Sequence, residues 1–401
     1  MDYGIFDADQ HYYEAEDAFT RYASKRMQDE KYIRWVTESD GKRRRLFVGG
    51  REANVIGNPT FNPITSPGIY HETLKALDSG SDRSRAAYGK LEPIRAEYRD
   101  RDVRLKVMDE QGVEKALLFP TLGVTMEGFF THDVDMLYSA FHAFNRWLQD
   151  DWGFSWRDRI YAAPYLSLFD LDRAIEELDW VLKQGAKLIT LRPGPAYGRS
   201  PADPYFDPFW ARVNEAGVLV TYHAFEGPSD VNEAFQRLWA APPRPRTAED
   251  SLLLRAILSV DAPILDTLTA LVLHNFFGRF PNIRVASIEN GSGWVAYLKH
   301  RLDHAGGLIN RQITVFGETL KERPSDILKQ NVWVSPFPEE DVAELARQIG
   351  SDRVLMGSDW PHAEGVLRPV DYLACLESFD QADVRKIMRG NMQEILRATP
   401  Q

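Results

Sequence analysis

Apolar residues occur along the chain in short runs that alternate with longer amphipathic stretches. The runs have the length and the mostly apolar character of strands buried on both faces of a parallel sheet. They cover residues 3–9, 115–121, 160–168, 186–193, 217–224, 283–290, 331–337 and 353–360. The stretches between them predict helices over 133–150, 170–184, 208–216, 264–280, 294–308 and 339–349. This alternation predicts an α/β fold, and the eight strands predict a closed (β/α)8 TIM barrel.

Two long segments interrupt the alternation. Residues 14–100 follow the first predicted strand, and residues 225–262 follow the fifth. Both leave the carboxyl ends of strands, where barrel enzymes build their active sites, so we expect them to be insertions that form a lid or pocket walls. The sequence therefore predicts a single domain over 1–401 with two insertions. The aromatic residues Tyr12, Tyr13, Phe61 and Tyr70 either wall an apolar pocket or pack the first loop.

Polar residues lie at the ends of the predicted strands, whereas the strand interiors are apolar. In "GIFDADQHYYE" (4–14), Asp7, Asp9 and His11 alternate, so their side chains share one face of the strand. The other strand ends carry Arg192, His223, Glu289, Asp359 and His362. Carboxylates and imidazoles that converge at one barrel mouth suit Zn²⁺, Mn²⁺ or Fe²⁺. Without a cation these groups would repel one another and be costly to desolvate.

The order of these motifs resembles the amidohydrolase superfamily. The resemblance rests on Asp9-x-His11, on His223 in "VLVTYHA", on "FGRFPNIRVASIENG" and on "VLMGSDWPHAEG", and it runs from Asp7 to the 389–396 helix. It is closest to the amidohydrolase-2 branch, which includes aminocarboxymuconate-semialdehyde and resorcylate-type decarboxylases. The resemblance implies that Asp9, His11, His223 and Asp359 bind a first metal ion.

One position departs from that family pattern. Enzymes of this branch typically carry a histidine at the end of strand six, where this chain has Glu289. A glutamate can act as a base, bind a metal ion or bridge two. In the first insertion, Glu72 follows His71 and is a candidate ligand of a second ion. These features are similar to an offshoot of the family that includes a non-haem diiron monooxygenase of terpenoid antibiotic biosynthesis.

Two enzymatic hypotheses follow. The first, favoured by Glu289 and Glu72, is a dinuclear iron monooxygenase that uses O2 to hydroxylate a small, largely apolar molecule. The alternative is a mononuclear hydrolase or decarboxylase with one Zn or Mn, in which Glu289 or His362 transfers the proton. Arg192 either binds a substrate carboxylate or pairs with a ligand carboxylate. A non-enzymatic binding barrel is disfavoured by the number of metal-ligand residues at the strand ends.

The amino-acid composition limits the classes of molecule that the protein is expected to bind. A net charge of −11 argues against nucleic acid, which requires clustered basic residues. The basic run at 41–51 is expected to be a solvated hairpin, and His274 a core histidine. The single cysteine, Cys375, excludes an intramolecular disulfide and a cysteine-based zinc cluster. No signal peptide or membrane span is predicted, so we expect a cytoplasmic protein. The sequence does not determine the oligomeric state, so it does not exclude a homo-oligomer.

Overall fold

The computed structural model describes residues 2–39, 41, 43–53, 56–70, 91–224, 261–309 and 320–397. The predicted ligand Glu72, its neighbour His71 and most of the second predicted insertion lie outside these residues. The strands are β1 (Ile5–Tyr12), β2 (Ile33–Thr37), β3 (Arg44–Val48), β4 (Arg51–Glu52), β5 (Ile64–Thr65), β6 (Leu91–Glu92), β7 (Val113–Pro120), β8 (Ile160–Ala162), β9 (Tyr165–Leu166), β10 (Leu188–Leu191), β11 (Leu219–His223), β12 (Val285–Ile288) and β13 (Val332–Val334).

The helices lie between these strands and after them. They are α1 (Lys25–Asp29), α2 (Arg101–Gln111), α3 (Gly123–Met126), α4 (Val134–Asp151), α5 (Leu171–Lys183), α6 (Asp207–Ala216), α7 (Ala262–Leu273), α8 (Phe276–Arg279), α9 (Trp294–Ile309), α10 (Pro324–Asn331), α11 (Val342–Ile349), α12 (Gln381–Arg385) and α13 (Asn391–Arg397). Asp100, Asp133 and Asp170 cap the amino ends of α2, α4 and α5 with their side chains. Among the described residues, no helix is long and apolar enough to cross a bilayer.

The predicted parallel α/β fold is confirmed. One parallel sheet has the order β1-β7-β8, and a second has the order β9-β10-β11-β12-β13. The third predicted strand is divided into β8 and β9, with Pro164, which has no N–H for a sheet, between them. Two small antiparallel sheets, β2-β3-β4 and β5-β6, lie within the first predicted insertion.

The eighth predicted strand is extended backbone rather than a regular strand. Leu355 N–H donates to the Val334 carbonyl (2.9 Å), and Ala8 N–H donates to the Met356 carbonyl (2.9 Å). The segment continues beside β1, where Asp359 N–H donates to the Asp9 carbonyl (2.9 Å) and His11 N–H donates to the Trp360 carbonyl (2.8 Å), although Asp359 has a left-handed φ of 54°. These hydrogen bonds place residues 354–360 between β13 and β1, beside the carboxyl end of β1.

An apolar cluster contains residues from all eight predicted strands. Its buried members from those strands are Phe6, Ala8, Leu117, Phe119, Tyr161, Ala163, Leu188, Leu219, Ala286, Ile288, Trp333 and Leu355. A larger cluster packs the helices against the outside of the sheets. Apolar side chains therefore fill the space below the carboxyl ends of the strands and leave the polar strand ends at one edge.

Glu14 is a buried carboxylate that connects the end of β1 to the start of α3. It accepts hydrogen bonds from the backbone N–H groups of Leu122 (2.9 Å) and Gly123 (2.8 Å). Burial raises the pKa of Glu14 to about 7, although these N–H groups favour the ionised form. The carboxylate therefore satisfies two backbone donors that are also buried.

We expect Glu14→Ala to lower the free energy of unfolding by about 2 kcal/mol or more, because it leaves two buried N–H donors without an acceptor. Urea denaturation followed by circular dichroism would measure this change. Glu176→Ala, at an exposed position of α5, is the matched control and should change stability little. An equal effect of the two substitutions would contradict this role for Glu14.

Candidate metal centre

Five polar side chains meet at the carboxyl ends of the parallel strands. Asp9 and His11 lie on β1, His223 ends β11, Glu289 directly follows β12, and Asp359 follows the extended segment beside β1. Four of them are buried, whereas the side chain of Glu289 is 21% exposed. The structure therefore brings together every predicted metal ligand that lies within its described residues.

The nitrogen and oxygen atoms of these side chains point toward a common space. Nε2 of His11 lies 3.3 Å from Nε2 of His223 and 3.4 Å from Oδ1 of both Asp9 and Asp359. Nε2 of His223 lies 3.6 Å from Asp9 Oδ1. Four residues each offer one possible ligand atom, and these four atoms all lie within 4.8 Å of one another; the residues are Asp9, His11, His223 and Glu289. This is the spacing of atoms that can share one ion.

The protonation of the histidines also suits a metal ion. His223 Nδ1 is 2.7 Å from the Ala224 carbonyl, which can only accept, so Nδ1 carries the proton and the Nε2 lone pair faces the common space. Burial, and next the charge of His362, lowers the pKa of His11 to about 3. The carboxylate oxygens Oδ1 of Asp9 and Asp359 are buried without a hydrogen-bond partner. The donor set therefore fits a divalent cation.

The neighbouring carboxyl groups differ in their electrostatics. Burial acts to raise the pKa of Asp9, but contacts with His11 and His223 outweigh it, and the pKa lies below its ordinary value. Burial and next the charge of Asp359 raise the pKa of Glu289 well above its ordinary value. Burial and next the charge of Glu364 do the same to the pKa of Asp359. The site thus opposes full ionisation of these carboxyl groups unless a cation compensates their charge.

Backbone geometry positions the carboxylates. Glu289 and Asp359 both adopt left-handed φ angles, 55° and 54°, which non-glycine residues rarely adopt. A Cβ at Gly357 would lie 2.3 Å from Ser335 Oγ and 2.8 Å from Asp9 Cβ, so glycine allows the segment to approach β1 closely. Asp7 accepts hydrogen bonds from the Ser358 side chain (2.5 Å) and backbone (3.0 Å), which fixes the residue before Asp359.

Glu289 and His362 lie beside the common space. Glu289 Oε2 is 3.1 Å from His223 Nε2 and 3.7 Å from His11 Nε2, close enough to act as a ligand or as an acid/base. His362 Nδ1 is 2.7 Å from Asp359 Oδ1, and the His362 ring stacks on His11 with centroids 3.9 Å apart. Glu364 also approaches Glu289 and Asp359. Sequence reasoning missed Glu364, although its position in the "GSDWPHAEG" loop was a usable signal.

Arg192 was also predicted at these strand ends. It is half-buried at the end of β10, where its charge acts on the hydroxyl groups of Tyr165 and Tyr197. Those hydroxyls donate to the buried carboxylate of Glu127, at 2.8 Å and 2.6 Å. Arg192 is not among the described residues that line the cavity above the strand ends. Its predicted contact with substrate therefore stays a prediction.

His274, expected in the core, is half-buried at the junction of α7 and α8.

A cavity of about 1180 Å³ opens above the strand ends. His11, His223, Glu289 and His362 form part of its lining. The aromatic residues Tyr13, Phe61 and Tyr70 line it too, which supports their interpretation as pocket walls, whereas Tyr12 is buried against Trp147 and Trp152. Sequence reasoning missed three further lining residues: Thr121, which follows β7, Val124, which lies in α3, and Phe337, which lies in the loop after β13.

The basic run forms part of an antiparallel hairpin in the β2-β3-β4 sheet, as expected, and Arg43 and Arg45 are exposed. Arg43, Arg44 and Arg45 also contribute to the cavity lining, which was not expected. Arg44 pairs with Glu16, and Arg45 pairs with Glu38 at 2.6 Å. These acidic partners neutralise much of the local positive charge, so the run does not form a strong anion site by itself.

The chain is similar to a known protein family and to several known proteins. The family model described as amidohydrolase matches residues 91–398. The solved structure of an amidohydrolase from Mycobacterium avium subsp. paratuberculosis K-10 is 39% identical, with a TM-score of 0.88, and the match covers 99% of this chain and 100% of that one. The γ-resorcylate decarboxylase of Polaromonas sp. JS666 is 24% identical over 313 residues, which are 74% of this chain and 87% of the relative.

A third match concerns the fold alone. A dihydroxybenzoic acid decarboxylase from Polaromonas sp. JS666, solved with bound manganese and the inhibitor 2-nitroresorcinol, is 16% identical with a TM-score of 0.58 and coverage of 98% and 97%. The γ-resorcylate decarboxylase match fits the decarboxylase alternative better than the dinuclear iron monooxygenase, which it does not support. The chain therefore belongs to the amidohydrolase family, in the branch that resembles the γ-resorcylate decarboxylases.

Proposed function

We propose that this protein is a mononuclear, divalent-metal enzyme that decarboxylates a small aromatic carboxylic acid. The observation that carries the proposal is the convergence of Asp9, His11, His223 and Asp359 at the carboxyl ends of the strands, where His11 and His223 line the cavity. The similarity to γ-resorcylate decarboxylase supports decarboxylation, and the bound ion of the dihydroxybenzoic acid decarboxylase favours manganese over the two irons expected from sequence.

The residues of the site would have two different roles, metal binding and proton transfer. Asp9, His11, His223 and Asp359 would hold the ion. When bound, it would supply a positive charge that fixes and polarises oxygen atoms of the substrate. Loss of CO2 breaks the bond between the carboxyl carbon and the ring and leaves the electron pair on the ring carbon, which must then accept a proton. Glu289 and His362 would deliver that proton, and their position in the cavity lining beside the proposed ligands supports this role.

The apolar side of the cavity suits the ring of such a substrate. Tyr13 and Phe61 stack on each other with centroids 4.7 Å apart, and Val124 and Phe337 also face the cavity. Aromatic and aliphatic walls bind an apolar ring by excluding water, while the polar groups at the floor fix its orientation.

Metal analysis combined with a substrate screen tests this proposal. Protein purified without chelator should contain about one divalent ion per chain by mass spectrometry. After loading with Mn²⁺, it should release CO2 from at least one member of a panel of hydroxybenzoates that includes 2,6-dihydroxybenzoate, under air and without O2 alike. Two irons per chain with O2-dependent turnover would overturn the proposal and restore the monooxygenase. Hydrolysis of esters or amides without CO2 release would favour the hydrolase alternative.

We also propose that the two parallel sheets close into a (β/α)8 barrel, as a single domain with insertions after the first and fifth strands. Three observations support closure: the hydrogen bonds of residues 354–360 to both β13 and β1, the hydrogen bond from Ala163 N–H on the β8 side to the Leu118 carbonyl (2.9 Å), and the bond from Thr190 N–H to the Pro164 carbonyl (2.9 Å). The apolar cluster that draws residues from all eight predicted strands is the packing expected inside a barrel.

A further inference from the structure

We propose that Arg104 is a positioning residue of the metal centre. It holds two ligand segments, residues 9–11 and 358–360, in the relative position that metal binding requires. The inference deepens the proposed function and rests on its metal centre, but not on the reaction that the enzyme catalyses. Arg104 is not among the described residues that line the cavity, so it acts through the residues beside the ligands.

The side chain of Arg104 is buried beside the end of β1. It lies near the start of α2 and is fully shielded from solvent. Nη2 donates to the His11 carbonyl (2.7 Å), and Nη1 donates to the side-chain oxygen of Gln10 (3.2 Å). Nε donates to the Glu97 carbonyl (2.8 Å). The planar guanidinium thus fixes the direction of three acceptors at once.

These three acceptors are uncharged oxygens. A buried cation is costly to desolvate, and a neutral side chain of similar length would avoid that cost. The packing of α2 alone therefore does not account for an arginine at this position. Its hydrogen bonds to β1 account for it better, because only a multiple donor can hold the His11 carbonyl and Gln10 together.

The same guanidinium contacts the segment that carries Asp359. Its Cζ lies 4.5 Å from the centroid of the Trp360 ring, a cation–π contact. Trp360 directly follows Asp359, and its carbonyl accepts from the His11 N–H (2.8 Å). Arg104 therefore holds one ligand segment through the carbonyl of His11 and the other through the ring of Trp360.

A second connection runs through Gln10. Because a guanidinium only donates, the Gln10 oxygen faces Arg104, and the Gln10 amide nitrogen donates to Asp7 Oδ2 (2.9 Å). Asp7 also accepts from the backbone N–H of Ser358 (3.0 Å), the residue before Asp359. This chain of hydrogen bonds connects Arg104 to both sides of Asp359.

The consequence concerns metal affinity. His11 and Asp359 come from distant parts of the chain, yet His11 Nε2 lies only 3.4 Å from Asp359 Oδ1. An ion binds tightly only if such donor atoms are held at the separation that its coordination requires. Loss of residues that orient metal ligands typically lowers metal affinity about 10- to 100-fold. Arg104 should therefore contribute to affinity at this scale.

Titration of the chelator-treated full chain with Mn²⁺ tests this inference. Electron paramagnetic resonance measures the free ion, and circular dichroism gives the folded fraction, so that affinity is expressed per folded chain. Arg104→Lys keeps the positive charge, but one ammonium group cannot reproduce the planar set of three hydrogen bonds. We expect its dissociation constant for Mn²⁺ to be about 10- to 100-fold higher than that of the wild type.

Arg99→Lys is the matched control. Arg99 also donates to three carbonyl oxygens, those of Tyr13 (3.1 Å), Glu14 (2.9 Å) and Thr60 (2.9 Å), which lie outside the two ligand segments. Arg99→Lys should lower the unfolding temperature, as Arg104→Lys does, but leave the dissociation constant for Mn²⁺ unchanged. An unchanged dissociation constant in folded Arg104→Lys, or an equal rise in Arg99→Lys, would overturn the inference.

Gln10→Met decides the case in which Arg104→Lys does not fold. Methionine keeps the length of the side chain but removes the acceptor for Arg104 and the donor to Asp7. The dissociation constant for Mn²⁺ should again rise, and an unchanged value would refute the positioning role. Because the titration uses no substrate, absence of CO2 release would refute the proposed function and leave this result intact. Absence of metal binding by the wild type would refute both.

Discussion

His223→Ala is expected to remove most of the bound metal and to lower turnover by more than about 100-fold, which exceeds the usual effect of losing an outer-shell partner. Its Nε2 lone pair faces His11 and Asp9, whereas its Nδ1 proton is engaged by the Ala224 carbonyl. Alanine takes away one nitrogen ligand and leaves the nearby carboxylates with less compensation for their charge. Mass spectrometry of metal per chain, together with circular dichroism for the fold, would measure both effects.

The matched control is His300→Ala, at an exposed histidine on α9. It should retain metal content and turnover. Full metal occupancy in His223→Ala with an intact fold would show that His223 does not bind the ion, and the assignment of the four ligands would then fail. If His223→Ala keeps part of its metal and excess Mn²⁺ restores full occupancy, the substitution has weakened the metal site without abolishing it.

Glu289→Gln is expected to keep about one metal ion per chain while turnover falls by about 10²- to 10⁴-fold, the usual contribution of a general acid or base. The amide keeps the size of the side chain at this left-handed backbone position but can no longer transfer a proton. The pH profile of kcat should also lose one limb. Metal analysis and a pH–rate profile on the same preparation separate a proton-transfer role from a ligand role.

Glu364→Gln provides the comparison, because Glu364 approaches the same carboxylates from an exposed position. It should preserve both metal content and most of the rate. Two ions in the wild type, with one lost in Glu289→Gln, would contradict the mononuclear proposal and identify Glu289 as a ligand of a second ion. Glu72, which lies outside the described residues, would then be the next residue to substitute.

The candidate metal centre was predictable because its residues follow local rules. Alternation along β1 places Asp9 and His11 on one face, and parallel strands bring their carboxyl ends to the same edge of a sheet, which adds His223 and Glu289. Asp359 was also expected at a strand end, and the resemblance to a family assigned Asp9, His11, His223 and Asp359 to one ion. The resemblance also suggested the diiron chemistry, which the γ-resorcylate decarboxylase match does not support. One exchanged residue such as Glu289 is compatible with several reactions.

The predicted role of Arg192 stays a prediction. Its charge acts on the hydroxyl groups of Tyr165 and Tyr197, which donate hydrogen bonds to the buried Glu127. Residues just beyond a strand no longer follow its alternation, so the direction of their side chains depends on the loop. The pattern of residues along β10 does not specify that direction.

Hydrophobic periodicity and the spacing within single strands were sufficient to predict the parallel α/β fold and the candidate metal-ligand side chains within the described residues. The wall of the cavity, the contact of Thr121 with His362 and the approach of Glu364 to the carboxylates were not predictable in this way. These contacts join loops that are far apart in the chain. Their geometry follows from backbone turns, such as the left-handed positions of Glu289 and Asp359, that no local pattern of residues specifies.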